Sequence, residues 1–91
     1  MKGQINQYTC RECDRNIVTI DVDEGVTPFM LACRATDGCK GMMVSGMYRV
    51  DQTLKPQFEW YQPTPKKIKK LNPEMRDHCE RGGLLIRRFG Q

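Results

Sequence analysis

The sequence predicts a small α+β domain, with β-hairpins in an antiparallel sheet followed by one or two short C-terminal helices and a last strand. Three observations lead there. Four of the five cysteines fall in two short-spaced pairs, Cys10 with Cys13 and Cys33 with Cys39. Around the pairs, apolar residues alternate with polar ones at the period of two that suits strands. Beyond Pro63 the chain turns lysine-rich, and Thr64-Pro65 and Asn72-Pro73 each set a capping residue ahead of a proline, as helices begin.

In chain order, Val18, Ile20 and Val22 alternate before Asp23-Glu24-Gly25, and Phe29 and Leu31 alternate after it. This reads as a hairpin with Gly25 in its turn. A third strand is expected through residues 42–50, with Met42, Val44, Tyr48 and Val50 on one face and Gly46 marking a bulge or a close backbone approach. Residues 58–63 suit a fourth strand that Pro63 ends, with Phe58 and Trp60 on one side. Helices follow at about 65–71 and 73–81, carrying one apolar stripe of Ile68, Leu71, Met75 and Cys79. Gly82 falls where a left-handed C-terminal cap is needed, and residues 84–89 read as a last strand. The parse is a single domain, 1–91, in which residues 8–50 carry the cysteine site and 51–91 form a basic strand–helix–strand extension.

Ninety-one residues bury too small a core to be comfortably stable through apolar packing alone, so an added fastening is expected. No window approaches the roughly 20 apolar residues of a membrane span. The first ten residues hold one lysine and no apolar run, which argues against a secretory signal and for a reducing, cytoplasmic setting. There, paired cysteines are more often metal ligands than disulfides, and an odd total of five agrees.

The pairs are C-x2-C and C-x5-C with 19 residues between. Two turns brought side by side would point four sulfurs at one ion. Such a closed four-thiolate site suits Zn²⁺ and leaves no open position for substrate, so the metal would be structural. Iron in the same cage, two disulfides and free thiols are the competing readings. A thioredoxin-type pair is disfavoured because a strand pattern, not a helix, follows Cys13.

The stretch Tyr8-Thr9-Cys10-Arg11-Glu12-Cys13-Asp14-Arg15, the strand pattern after it and the second cysteine turn resemble the zinc-ribbon (rubredoxin-like) superfamily. Within it they are similar to small phage-encoded zinc ribbons, distantly including late-gene transcription activators. The resemblance covers residues 8–50, and the tail segments EWYQP and HCERGGLL resemble stretches of phage proteins. It implies a structural zinc and a regulatory role on DNA or on the host transcription machinery. Asp14 stands where a knuckle usually has glycine, and the second pair is spaced by five rather than about two.

Charge is segregated. Residues 1–61 carry seven Lys/Arg against eight Asp/Glu, and residues 62–91 eight against three. Lys66, Lys67, Lys69 and Lys70, with Arg87 and Arg88, form the expected contact surface for nucleic acid or an acidic protein face. An exposed Trp60 or Tyr61 could stack on a base; the competing expectations are a solvated helix face for the lysines and a packed Trp60 between ribbon and helices. His78 and Cys79 diverge by about 100° on a helix and make no catalytic pair. Asp21, Asp23 and Glu24 read as a solvated turn. The chain is expected to be a non-enzymatic binding protein, with a protein-binding inhibitor of a host enzyme as the alternative.

Overall fold

The computed structural model describes residues 1–90. Strands β1 (Ile5–Cys10), β2 (Asn16–Asp21), β3 (Met30–Ala32), β4 (Met42–Ser45) and β5 (Phe58–Tyr61) precede helices α1 (Pro65–Ile68) and α2 (Pro73–Glu80), and β6 (Leu85–Arg88) follows. All six strands form one curled sheet in the order β3-β4-β1-β2-β5-β6. Every pairing is antiparallel except β2 with β5.

The hairpin expected between residues 18–22 and 29–31 does not form. β2 pairs instead with β1, and β3 with β4. Each of these hairpins carries one cysteine pair at its tip, and the β1–β4 pairing sets the two tips side by side. Strand β1 escapes a hydrophobicity reading because polar side chains interrupt it: Asn6 is fully buried beside Tyr8 and Cys10. The alternation expected in β2 is also out of phase, since Ile17, Thr19 and Asp21 are the buried set and Val18 and Ile20 are half-buried.

A hydrogen-bonded network explains this phase. The Tyr48 hydroxyl donates to Asp21 Oδ2 at 2.6 Å, and the Tyr48 N–H donates to Asn6 Oδ1 at 3.0 Å. Asn6 Nδ2 in turn donates to Ser45 Oγ at 2.9 Å. Buried polar groups are tolerable when so paired, though Thr19 Oγ1 and Asp21 Oδ1 are buried without a partner. Burial raises the Asp21 carboxyl above its ordinary range, against the hydrogen bond from Tyr48. The acidic cluster is therefore not a solvated turn, because its first member lies inside. The third strand stops at Ser45 rather than Val50, since Met47 and Tyr48 adopt left-handed φ of 54° and 62° to aim the phenol at Asp21. Gly46 makes the expected close approach, its N–H donating to the Gln7 carbonyl at 2.8 Å.

Tyr8, Cys10, Ile17, Met43, Phe58, Trp60 and Leu84 form the core on the concave face. Complete burial of an apolar side chain such as Ile17, Met43 or Leu84 stabilises by about 1.5–3 kcal/mol. Trp60 packs as expected, with its ring tilted 49° against Tyr8 at 6.0 Å between centroids.

The caps fall where the sequence places them. Thr64 Oγ1 accepts from the Lys67 N–H, Asn72 Oδ1 accepts from the Met75 N–H, and Gly82 takes φ 89°. The apolar stripe of the helices is only partly covered. Cys79 is buried, but Met75 is 38% exposed.

Replacing Asn6 by Ala leaves the Tyr48 N–H without its partner. A loss of about 2 kcal/mol is expected, measured by denaturant unfolding of the metal-loaded protein, while the exposed Lys55→Ala should shift stability by less than about 0.5 kcal/mol.

Candidate metal centre

The first cysteine pair sits where β1 turns into β2. The Asp14 N–H donates to the Cys10 carbonyl at 3.1 Å, and the Cys10 N–H to the Arg15 carbonyl at 2.9 Å. Closing this turn requires a left-handed residue, and Asp14 supplies it at φ 59°, where glycine is commoner but aspartate is tolerated. The second pair sits between β3 and β4. Its longer loop is pinned by the Cys33 N–H to Gly41 carbonyl bond at 3.0 Å and the Cys39 N–H to Thr36 carbonyl bond at 3.2 Å.

The four sulfurs of Cys10, Cys13, Cys33 and Cys39 lie within 4.8 Å of one another. Cys10 Sγ is 3.7 Å from Cys39 Sγ, and Cys13 Sγ is 3.8 Å from Cys33 Sγ. Those closest approaches are far beyond a disulfide bond of about 2.05 Å. They match the edge of a tetrahedron: sulfurs at about 2.3 Å from a central ion stand about 3.8 Å apart. The two sulfur–sulfur contacts join cysteines from opposite hairpins, so an ion between them would tie β1–β2 to β3–β4. The donor set and its spacing fit a divalent metal ion.

Backbone and side-chain donors face the sulfurs. The Glu12 and Cys13 N–H groups approach Cys10 Sγ at 3.4 and 3.5 Å, the Gly41 N–H reaches Cys39 Sγ at 3.4 Å, and Thr36 Oγ1 reaches Cys13 Sγ at 3.5 Å. The Thr36 hydroxyl, then the Arg15 N–H, draw the Cys13 thiol down to about 6. At Cys39 the Gly41 N–H favours the thiolate, but burial and the neighbouring sulfurs of Cys10, Cys33 and Cys13 together outweigh it and push the thiol up to about 12. One proton thus leaves readily, while another is held until positive charge enters the cluster.

Four thiolates around a divalent cation carry a net charge of two minus. Arg11, Arg15, Arg34 and Lys40, all exposed, lie within two residues of a ligand, but so do Glu12, Asp14 and Asp37, so the neighbouring side chains offset that charge only in part. Sequence reasoning did not single out these cations or Thr36, and read Gly41 only as a glycine close behind the turn of the second cysteine loop. A Cβ on Gly41 would meet Glu12 Cβ at 2.6 Å and Cys10 Sγ at 2.7 Å, so the ligand cluster needs a bare backbone there. The legible signal was the position of Gly41, two residues after the last cysteine, beside the first knuckle.

The basic residues expected to act together are divided. Lys66, Lys67, Lys69 and Lys70 are exposed on and just after α1. Arg87 is engaged: its Nε and Nη2 donate to the buried Glu59 carboxylate at 3.0 and 2.9 Å, and its guanidinium lies 3.8 Å from the Tyr61 ring centroid. Lys67 Nζ donates to the Tyr61 hydroxyl. Arg88 turns to the other side of β6, toward Phe58, where Arg34 of the second cysteine turn approaches the same ring. Trp60 and Tyr61 are 3% and 7% exposed, so of the two readings weighed for them the packed one is found and neither offers an open face for a base.

His78 and Cys79 point apart. One ring nitrogen of His78, Nε2, lies 3.0 Å from the Leu84 carbonyl, and Cys79 is buried, where burial raises its thiol. No helix among the described residues is long and apolar enough to cross a membrane. Comparison with protein-family models, curated proteins and solved structures finds no match for the chain.

Two outcomes are expected. Gly41→Ala should weaken metal binding by about ten- to a hundredfold in competition with a chelator of known affinity. Protons compete with the ion for sulfur, so affinity should fall as pH falls. Calorimetry in buffers of different ionisation enthalpy should also find about one more proton released per ion at pH 5 than at pH 7, as Cys13 crosses about 6.

Proposed function

We propose that the chain is a small zinc-ribbon protein whose Zn²⁺, held by Cys10, Cys13, Cys33 and Cys39, fastens the fold and takes no part in catalysis. The observation that carries this reading is the pair of cross-hairpin sulfur contacts, 3.7 and 3.8 Å, at the spacing a tetrahedral zinc requires. Placement of each cysteine pair at a hairpin tip agrees with the ribbon resemblance. Four sulfurs would fill the coordination sphere and leave no place for an activated water.

Beyond the metal, the protein acts by contact. Lys66, Lys67, Lys69 and Lys70 gather exposed positive charge with no carboxylate partner among the described residues, whereas Arg87 is paired with Glu59. That surface suits phosphates, and with Trp60 and Tyr61 inside the fold it would read backbone charge rather than bases. The reading is a regulatory protein, phage-derived by resemblance, that contacts nucleic acid or the host transcription machinery from the cytoplasm.

A second reading rests on a different surface. Phe29, Met30, Met42 and Met47, on or flanking β3 and β4, are all at least 40% exposed, as suits a protein-binding inhibitor of a host enzyme or defence protein.

Elemental analysis should find one zinc per chain, and a strong chelator or Cys33→Ser should unfold at least residues 8–50. A native circular-dichroism spectrum in metal-free protein would contradict the structural role. Anisotropy titrations with nucleic acid at two salt concentrations should give salt-sensitive binding that Lys66→Glu with Lys69→Glu weakens. Absence of binding at low salt would favour the inhibitor reading.

A further inference from the structure

A second site lies at the other side of the core from the cysteines. Between α2 and the concave face of β5 and β6 is a cavity of about 370 Å³. Trp60, Leu84 and Ile86 line it from the sheet, and Glu74, Met75 and His78 line it from the helix. Met75 lines it and stays 38% exposed, leaving the recess open to solvent. Its size is that of a small-molecule site, and its lining is almost wholly apolar with two polar groups at the rim.

Those two groups differ. One ring nitrogen of His78 is occupied by the Leu84 carbonyl, 3.0 Å away, and the ring lies flat against Gly83, where even a Cβ would come within 2.3 Å of it. That imidazole is a fixed wall. Glu74 is exposed and has no ion-pair partner among the described residues. In a chain of net charge +4, the mouth of this apolar recess therefore presents a free carboxylate. Negative charge beside an apolar floor selects an apolar body that carries a cation.

We propose that this cavity is a binding site for a small apolar amine, an aromatic or branched hydrocarbon body bearing one ammonium group. The body lies against the accessible apolar side chains of Pro28, Met75, Leu85 and Ile86, above the buried Trp60, and the ammonium pairs with Glu74. The site is independent of the metal centre and of the basic surface, and neither reading above requires it.

Trp60 is the chain's single tryptophan and lines the floor of this cavity, so its indole resonance and its fluorescence respond to an occupant. The probes are 2-phenylethylamine and phenylacetate, which share a ring and differ in the sign of the charge, titrated into the metal-loaded protein at low salt. The amine should shift the indole resonance and bind about fivefold or more tightly than the acid. Glu74→Gln should bring the two probes close to equal, and Met75→Phe, on an exposed position, should fill the recess and abolish the response, with metal content unchanged in both variants. No indole shift with either probe, equal binding of amine and acid to the unaltered protein, or a response untouched by Met75→Phe would each overturn the proposal.

Discussion

Four thiols held within 4.8 Å of one another pose an electrostatic problem that the rest of the chain cannot solve by itself. Cys13 ionises easily, while Cys39 is held protonated by the sulfurs around it and by burial. Only a cation placed among them lets all four become thiolates, and once present it joins the tip of one hairpin to the tip of the other. Zinc binding of this kind carries roughly 10–16 kcal/mol, as much as the whole stability of many small domains. The surrounding chemistry follows from that demand: N–H and hydroxyl donors directed at sulfur, and a glycine where any side chain would collide with Cys10.

The far ends of the same strands are organised by polar burial. Asn6 and Asp21 lie on the concave face, and Tyr48 reaches them only by accepting two consecutive left-handed backbone positions. Strain of this kind persists when several interactions fix it at once. Here three hydrogen bonds do so, and they set which face of β1 and β2 turns inward. The thiol cluster that an ion would tie together at one end and the polar network at the other bracket a sheet whose apolar core is small.

What the sequence disclosed was whatever is encoded locally. The cysteine spacing, the Thr64 and Asn72 caps, the left-handed Gly82 and strands β5 and β6 depend largely on near neighbours, and they are where the pattern places them. Pairing is not local. Residues 18–22 and 29–31 look like the two arms of a hairpin, yet each finds a better partner in β1 or β4. Because Thr19 and Asp21 are buried in place of Val18 and Ile20, the hydrophobic alternation pointed to the wrong face. The basic surface was legible as composition only. Whether an arginine is free depends on a carboxylate 28 residues away, as Arg87 and Glu59 demonstrate.

The central claim is that four sulfurs from two hairpins enclose one ion. X-ray absorption at the zinc edge on the purified protein tests it most directly. The account predicts a single shell of four sulfur scatterers at about 2.3 Å. A shell containing oxygen or nitrogen, or a folded protein that carries no metal at all, would contradict it.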